Sequence, residues 1–218
     1  MKKFSFPDLL ALLFLAGVAF IFIYPTSYGV YARWYAAAPA LLSFLKFALL
    51  ATFGEMLVAR LQRGSYLPAE FGLLPKAVVW GVLGVFIWIA FGIFSKGVTG
   101  TFFPGLENPG VGMRLLNALA ISFFMNLIFA PIMMMTHHLT DLHIARNGGH
   151  FPIAGQPLLP LFQGINWERL WGFVYKKTIP LFWIPAHTVT FLLPEELRVL
   201  FAVVLSVFLG LLLTVKKT

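Results

Sequence analysis

The stretch "THHLTDLHIARNGGH", residues 136–150, gathers His137, His138, Asp141, His143 and His150. Imidazole and carboxylate groups suit zinc. On a helix, His137 and Asp141 (i, i+4) or His138 and Asp141 (i, i+3) share a face. A metal site on His138, Asp141 and His143 is therefore one expectation, and a weak one. The spacing is not that of HExxH, and the stretch follows an apolar run, so solvated histidines at a membrane interface are the simpler reading. A second polar set lies inside apolar runs: Lys46, Glu55, Asn117, Ser122, Asn126, His187, Thr188 and Thr190. An ammonium at the centre of a span costs roughly 3 kcal/mol on insertion scales. Lys46 is thus expected to face the bundle interior, a water-filled cavity or a carboxylate. Glu55 follows it by nine residues, half a turn round the helix, so the two do not pair. Glu55 is expected to approach Arg60 or the membrane interface. Asn117, Ser122 and Asn126 suit hydrogen bonds between helices. His187 has an ordinary pKa of about 6.5 and could make passage through a pore pH-sensitive.

Other chemistries find no support. There is no glycine-rich phosphate loop, no GxSxG and no pair of intramembrane aspartates. The chain has no Cys, which excludes disulfides, thiol catalysis and Cys-based metal sites. No catalytic residue and no cofactor are expected.

The elements that must hold these residues are helices in lipid. Of 218 residues, 60% are hydrophobic and only 11% charged, with mean hydropathy +0.87. A soluble domain carries about 25% charged residues. The fold class expected is all-α: one polytopic membrane bundle over 1–218. Its spans are placed at about 9–24, 36–60, 73–95, 114–136, 170–193 and 196–215, most near the ~20 residues that cross the hydrocarbon core. The first has the basic and apolar parts of a signal peptide but no prompt small-x-small site, so it reads as a retained helix. Ala77, Gly81 and Gly84 make a small-residue stripe that admits a close neighbour. Pro75 suits a first helical turn. Residues 137–166 are too polar and broken to span. Pro131 is expected to loosen the fourth helix, and Pro180 and Pro185 to kink the fifth. Thr188 and Thr190 are placed to repair the freed backbone. Pro194 makes the turn into the last helix, with Glu195 and Glu196 at its positive end.

Six spans put both termini on one side with Lys2, Lys3, Arg60, Arg63, Lys76, Arg146, Arg169, Lys176, Lys177, Lys216 and Lys217. The other side holds Arg33, Lys96, Arg114 and Arg198, and also Glu107, Glu195 and Glu196. Eleven basic residues against four place both termini in the cytoplasm by the positive-inside rule. No basic cluster is interleaved with aromatics, so nucleic acid is not an expected partner.

The C-terminal third, "FLLPEELRVLFAVVLSVFLGLLLTVKK", resembles the tail of the Mpv-seventeen/peroxisomal twenty-two-kilodalton membrane protein family. That tail reads approximately F-x-x-V-P-x-x-x-R-V-L-F, then an apolar helix with a basic end. Phe191, Pro194, Arg198, Val199, Leu200 and Phe201 match it, and Leu213, Thr214 and Lys216 stand near its end. The W-P-x-x-Q-x-x-N-F element is only partly kept. Trp183 and Pro185 are one residue further apart, and its Gln and Asn are missing. Pro39 and Gly54-Glu55 match an early helix with a Gly-Asp pair, and "FFPG" (102–105) matches a later P-G. The resemblance covers about residues 36–217. It implies a small integral membrane protein, in some relatives linked to passage of small solutes, with no catalytic residues to carry over. Three readings stay open: a channel for small solutes or ions, a non-conducting scaffold or lipid-interacting bundle, and a membrane metalloprotein on the histidine cluster. Membrane lipid is an expected partner, small solutes or ions follow from the first reading, and a homo-oligomer is compatible with all three. The charge asymmetry predicts that a reporter active only in the cytoplasm works when fused to either end. Activity at one end alone would require an odd number of spans.

Overall fold

The computed structural model describes residues 5–106, 109–151 and 157–215, the last three of these by backbone alone. Lys2, Lys3, Glu107, Lys216 and Lys217 of the charge tally lie outside the described residues. Every regular element described is helical: α1 (Phe6–Ile23), α2 (Pro25–Ala37), α3 (Pro39–Arg63), α4 (Leu73–Phe102), α5 (Val111–Arg146), α6 (Leu158–Gln163), α7 (167–192) and α8 (Glu195–Val215). Punctuation in the sequence explains the boundaries. Proline opens α2 and α3, where its missing N–H costs nothing. Gly64, at φ 85°, closes α3 in the left-handed conformation that glycine tolerates.

Among the described residues, α1, α3, α4 and α5 are long and apolar enough to cross a membrane. The other two expected spans are helical in the expected places, as α7 and α8, but are not among those four. α7 is composite. A single turn (Trp167–Arg169) leads into a π-helical run (Leu170–Trp183) and then α-helix (Ile184–Leu192). Pro180 lies inside the π-helical run, and Pro185 in the first turn of the α-helical part. Proline has no N–H to give the ladder, so a widened ladder is a natural companion of Pro180.

Two expectations are corrected. Residues 25–35, read as part of a connection, form α2 together with Ala36 and Ala37, and this helix buries Tyr31 and Tyr35. Gly29, Arg33 and the scattered hydroxyls of "PTSYGVYARW" hide its apolar face. The connection expected from residue 137 does not begin there either: α5 runs on through the histidines to Arg146. Polar residues end a membrane span, but not a helix.

The core lies where α3, α4, α5, α7 and α8 meet, around Phe47, Leu83, Ile87, Phe91, Ile121, Met125, Phe191, Val199 and Val203. The small-residue stripe faces α3. A methyl on Gly81 would meet the Phe44 ring at 2.5 Å, and one on Gly84 would meet Ser43 O at 2.7 Å and Phe47 Cβ at 2.6 Å. α1 packs on the edge of this core through Phe14 and Val18, and the larger part of its surface is exposed. It is tied in by Asp8, which accepts from Arg60 of α3 at 2.7 Å and 2.8 Å and from Tyr66 at 2.9 Å.

Gly84→Leu should destabilise the protein by about 1–3 kcal/mol, the usual cost of overpacking. Gly92→Leu, on the same helix with nothing within 4 Å of its added Cβ, should change little. Thermal unfolding in detergent reads both.

Candidate functional site

Helices α3, α4 and α5 run alternately up and down, so residues distant in sequence meet at three levels. At one end, late α3 and α5 meet early α4. Glu55, Lys76, Trp80, His137 and Asp141 form one cluster there. Lys76 Nζ donates to Glu55 Oε2 and to Asp141 Oδ1, each at 2.6 Å. Trp80 Nε1 donates to Glu55 Oε1 at 2.7 Å. His137 Nε2 lies 3.7 Å from Glu55 Oε1 and 3.6 Å from Asp141 Oδ2, its ring against Trp80 at 4.3 Å between centroids. One lysine thus bridges two carboxylates from two other helices. The cluster borders an open cavity of about 700 Å³ that also reaches Arg63, Glu70 and Arg169.

This rearranges the expected chemistry. Glu55 answers Lys76 and Trp80 across helices, where Arg60 or the interface was expected. A trio of ligand atoms within 4.8 Å of one another is present, but it comprises Glu55, His137 and Asp141. His138 and His143 are not in it, because the α5 periodicity puts His137 on the face of Asp141 that looks at α3 and α4. Lys76 already supplies the positive charge at this spot. His137 and Asp141 were visible as an i, i+4 pair. The partners on α3 and α4 are near the ends of a helical hairpin closed at residues 64–72, and that closeness was the unused signal.

The middle level is built on Asn126 and His187, both buried. His187 Nδ1 lies 3.1 Å from Asn126 Nδ2 and 3.3 Å from Oδ1. Asn126 Nδ2 also donates to Ser122 O at 2.8 Å. Ser122 Oγ donates across to Ile184 O at 2.7 Å. The His187 ring stacks on Trp183 at 5.0 Å and meets the edge of Phe91 at 5.7 Å. Thr188 and Thr190 bond back to Ile184 O and Ala186 O at 2.8 Å and 3.0 Å. These are ordinary i−4 bonds and do not reach the carbonyls that Pro180 and Pro185 leave free, so the expected repair is not their role. Near Pro131, Tyr175 of α7 donates to the Pro131 carbonyl at 2.9 Å. A small cavity of about 50 Å³ lies here, among Trp80, Phe91, Asn126, Met134, Trp183 and His187.

At the other end, late α4 meets early α5 and the α7–α8 turn at Pro194. Thr99 Oγ1 donates to Asn117 Oδ1 at 3.1 Å. Cavities of about 350 Å³ and 560 Å³ open here, both lined by Ser95, Thr99 and Arg198. Lys46 lies apart from all of these cavities. Its ammonium donates to Tyr31 Oη at 3.0 Å and sits 4.8 Å from the Tyr35 ring centroid. Its partners are therefore phenols of α2, where a carboxylate or a cavity was expected. Tyr31 in turn donates to the Glu196 carbonyl. Burial, and after it the nearby Tyr35 and Glu196, raise the Tyr31 pKa above its ordinary value, which keeps the phenol protonated for both bonds.

Comparison with known proteins gives no matching family model, no matching curated protein and no matching solved structure. The class the fold defines is an all-α protein with at least four helices fit to cross a membrane.

His187→Leu would leave Asn126 bonded to its own helix alone and should cost about 1 kcal/mol or more. Adding Asn126→Leu should give less than the sum of the two single losses, with a coupling of about 1 kcal/mol. A double-mutant cycle by thermal unfolding measures it; additive losses would mean that the two side chains do not interact.

Proposed function

We propose that the chain is a six-span membrane protein whose bundle forms a passage for small solutes or ions, held closed in this conformation. One observation supports this above the others: the cavities form a series along the bundle. The 700 Å³ cavity shares Glu55 and His137 with a neighbour of about 250 Å³. That neighbour shares Trp80, Met134, Trp183 and Ser206 with the 50 Å³ cavity. Phe91 then lines both the 50 Å³ cavity and the 350 Å³ cavity at the far end. Lys76 and Lys96, at opposite mouths, are twenty residues apart on α4, or roughly 30 Å at 1.5 Å per residue. That matches the hydrocarbon thickness. The constriction is aromatic and narrow, as suits a closed gate. Kinship with the Mpv-seventeen-like family, and cytoplasmic termini beside the larger mouth, belong to the same proposal.

A second reading, the non-conducting scaffold, is favoured by a different observation. Lys46 and His187 each have a protein partner, as helix-bonding groups would. Planar bilayers separate the two readings. The passage reading expects current from the purified protein above empty-bilayer controls. Trp183→Ala should increase it by widening the constriction, and Lys46→Met should leave ion selectivity unchanged. Folded protein that carries no current, in wild type and in Trp183→Ala alike, would leave the scaffold.

A further inference from the structure

Arg198 makes no ion pair among the described residues. It stands in the first turns of α8 and points between α4 and the end of α7. Its Nε donates to Leu193 O at 3.0 Å, and Nη1 to Ser95 Oγ at 3.2 Å. Nη2 reaches Phe191 O at 3.4 Å, and the guanidinium lies over the Phe191 ring at 5.6 Å. A guanidinium has five N–H groups, so one on each terminal nitrogen is uncommitted among the described residues. No carboxylate oxygen of the described residues lies within ion-pair distance of it. Elsewhere in the bundle, Arg60 has Asp8 and Lys76 has Glu55 and Asp141. A half-buried cation without a bonded anion is costly; Glu195 and Glu196 act on this one only from beyond ion-pair distance, and it is kept at the wall of two cavities.

Those cavities carry more positive charge. Lys96 lines one of them and Arg114 the other, and a single carboxylate, Glu195, lines the first. Among the described residues, the cavity lined by Arg114 thus holds two cations, Arg114 and Arg198, and no acid. The Ser95 hydroxyl, which accepts from Arg198, keeps its own proton to donate. The planar fork of arginine matches phosphate oxygens two at a time. We propose that this mouth of the bundle binds a phosphate group in the cavity that Arg114 lines, with Arg198 and Ser95 as its floor and Arg114 at its rim. The charge excess matches a dianionic monoester or free phosphate, and the volume of about 560 Å³ accommodates a small phosphorylated solute. A phospholipid headgroup offers the same chemistry from the membrane side. The proposal goes beyond passage, because a binding site stands whether or not anything crosses.

The test uses the full chain in uncharged detergent at low salt. Inorganic phosphate is titrated by calorimetry, and phosphatidic acid by native mass spectrometry. Saturable binding of either supports the site; the arm that binds tells a free solute from a headgroup. Arg198→Gln should weaken binding at least tenfold. Because Arg198 also ties down the end of α7, exposed Arg114→Gln is the control for folding: it should weaken binding several-fold with an unchanged circular dichroism spectrum. Folded wild type that binds neither probe would overturn the proposal, as would Arg114→Gln and Arg198→Gln proteins that both bind like wild type. Binding of either probe without any bilayer current would overturn passage and leave the site; current without binding of either probe would do the reverse.

Discussion

Hydrocarbon offers no hydrogen bonds, so a polar group carried into the bundle is costly unless it finds its answer within the protein. This constraint organises the molecule. Lys76 lies between carboxylates from two other helices and so fixes the relation of α3, α4 and α5 at one end. Asn126, Ser122 and His187 join α5 to α7 at mid-depth. Lys46 is held by phenols of α2. Apolar side chains in lipid have little preference for one another over acyl chains. The pairing of these few polar groups is therefore what distinguishes the observed register from others of equal apolar burial.

The same pairing gives the interior its asymmetry. One mouth has balanced charge, with acids and bases that satisfy each other across helices. The other, among the described residues, has an excess of cations, and its Arg198 is bonded there to carbonyls and a hydroxyl. Between them lie aromatic rings around a single Asn–His contact. Small residues make the arrangement possible: Gly81 and Gly84 let α4 lie close enough to α3 for Trp80 and Lys76 to reach Glu55.

Much of this was legible before any coordinates. Long apolar runs located α1, α3, α4 and α5, the glycine stripe marked the face toward a neighbour, and i, i+4 spacing put His137 with Asp141. What was not legible depended on partners from other helices. Glu55 was assigned by its own helix to Arg60, yet Lys76 of α4 lies closer in space. Lys46 suggested a carboxylate or water, because aromatic partners leave no charge pattern to read. α2 was missed because Gly29, Arg33 and hydroxyls interrupt its apolar period. The π-helical run of α7 has no local signature beyond Pro180. The cavities depend on gaps between side chains, and no residue pattern encodes a gap.

The length of α5 has a mechanical meaning. Its 36 residues make a rod of roughly 54 Å at 1.5 Å per residue, against about 30 Å of hydrocarbon. The helix is thus longer than that layer is thick, and His137, Asp141 and Arg146 near one end ride on the same continuous element as Asn126. A change in the tilt of α5 would therefore alter the Asp141–Lys76 pair and the Asn126–His187 contact together, with Pro131 lying between them.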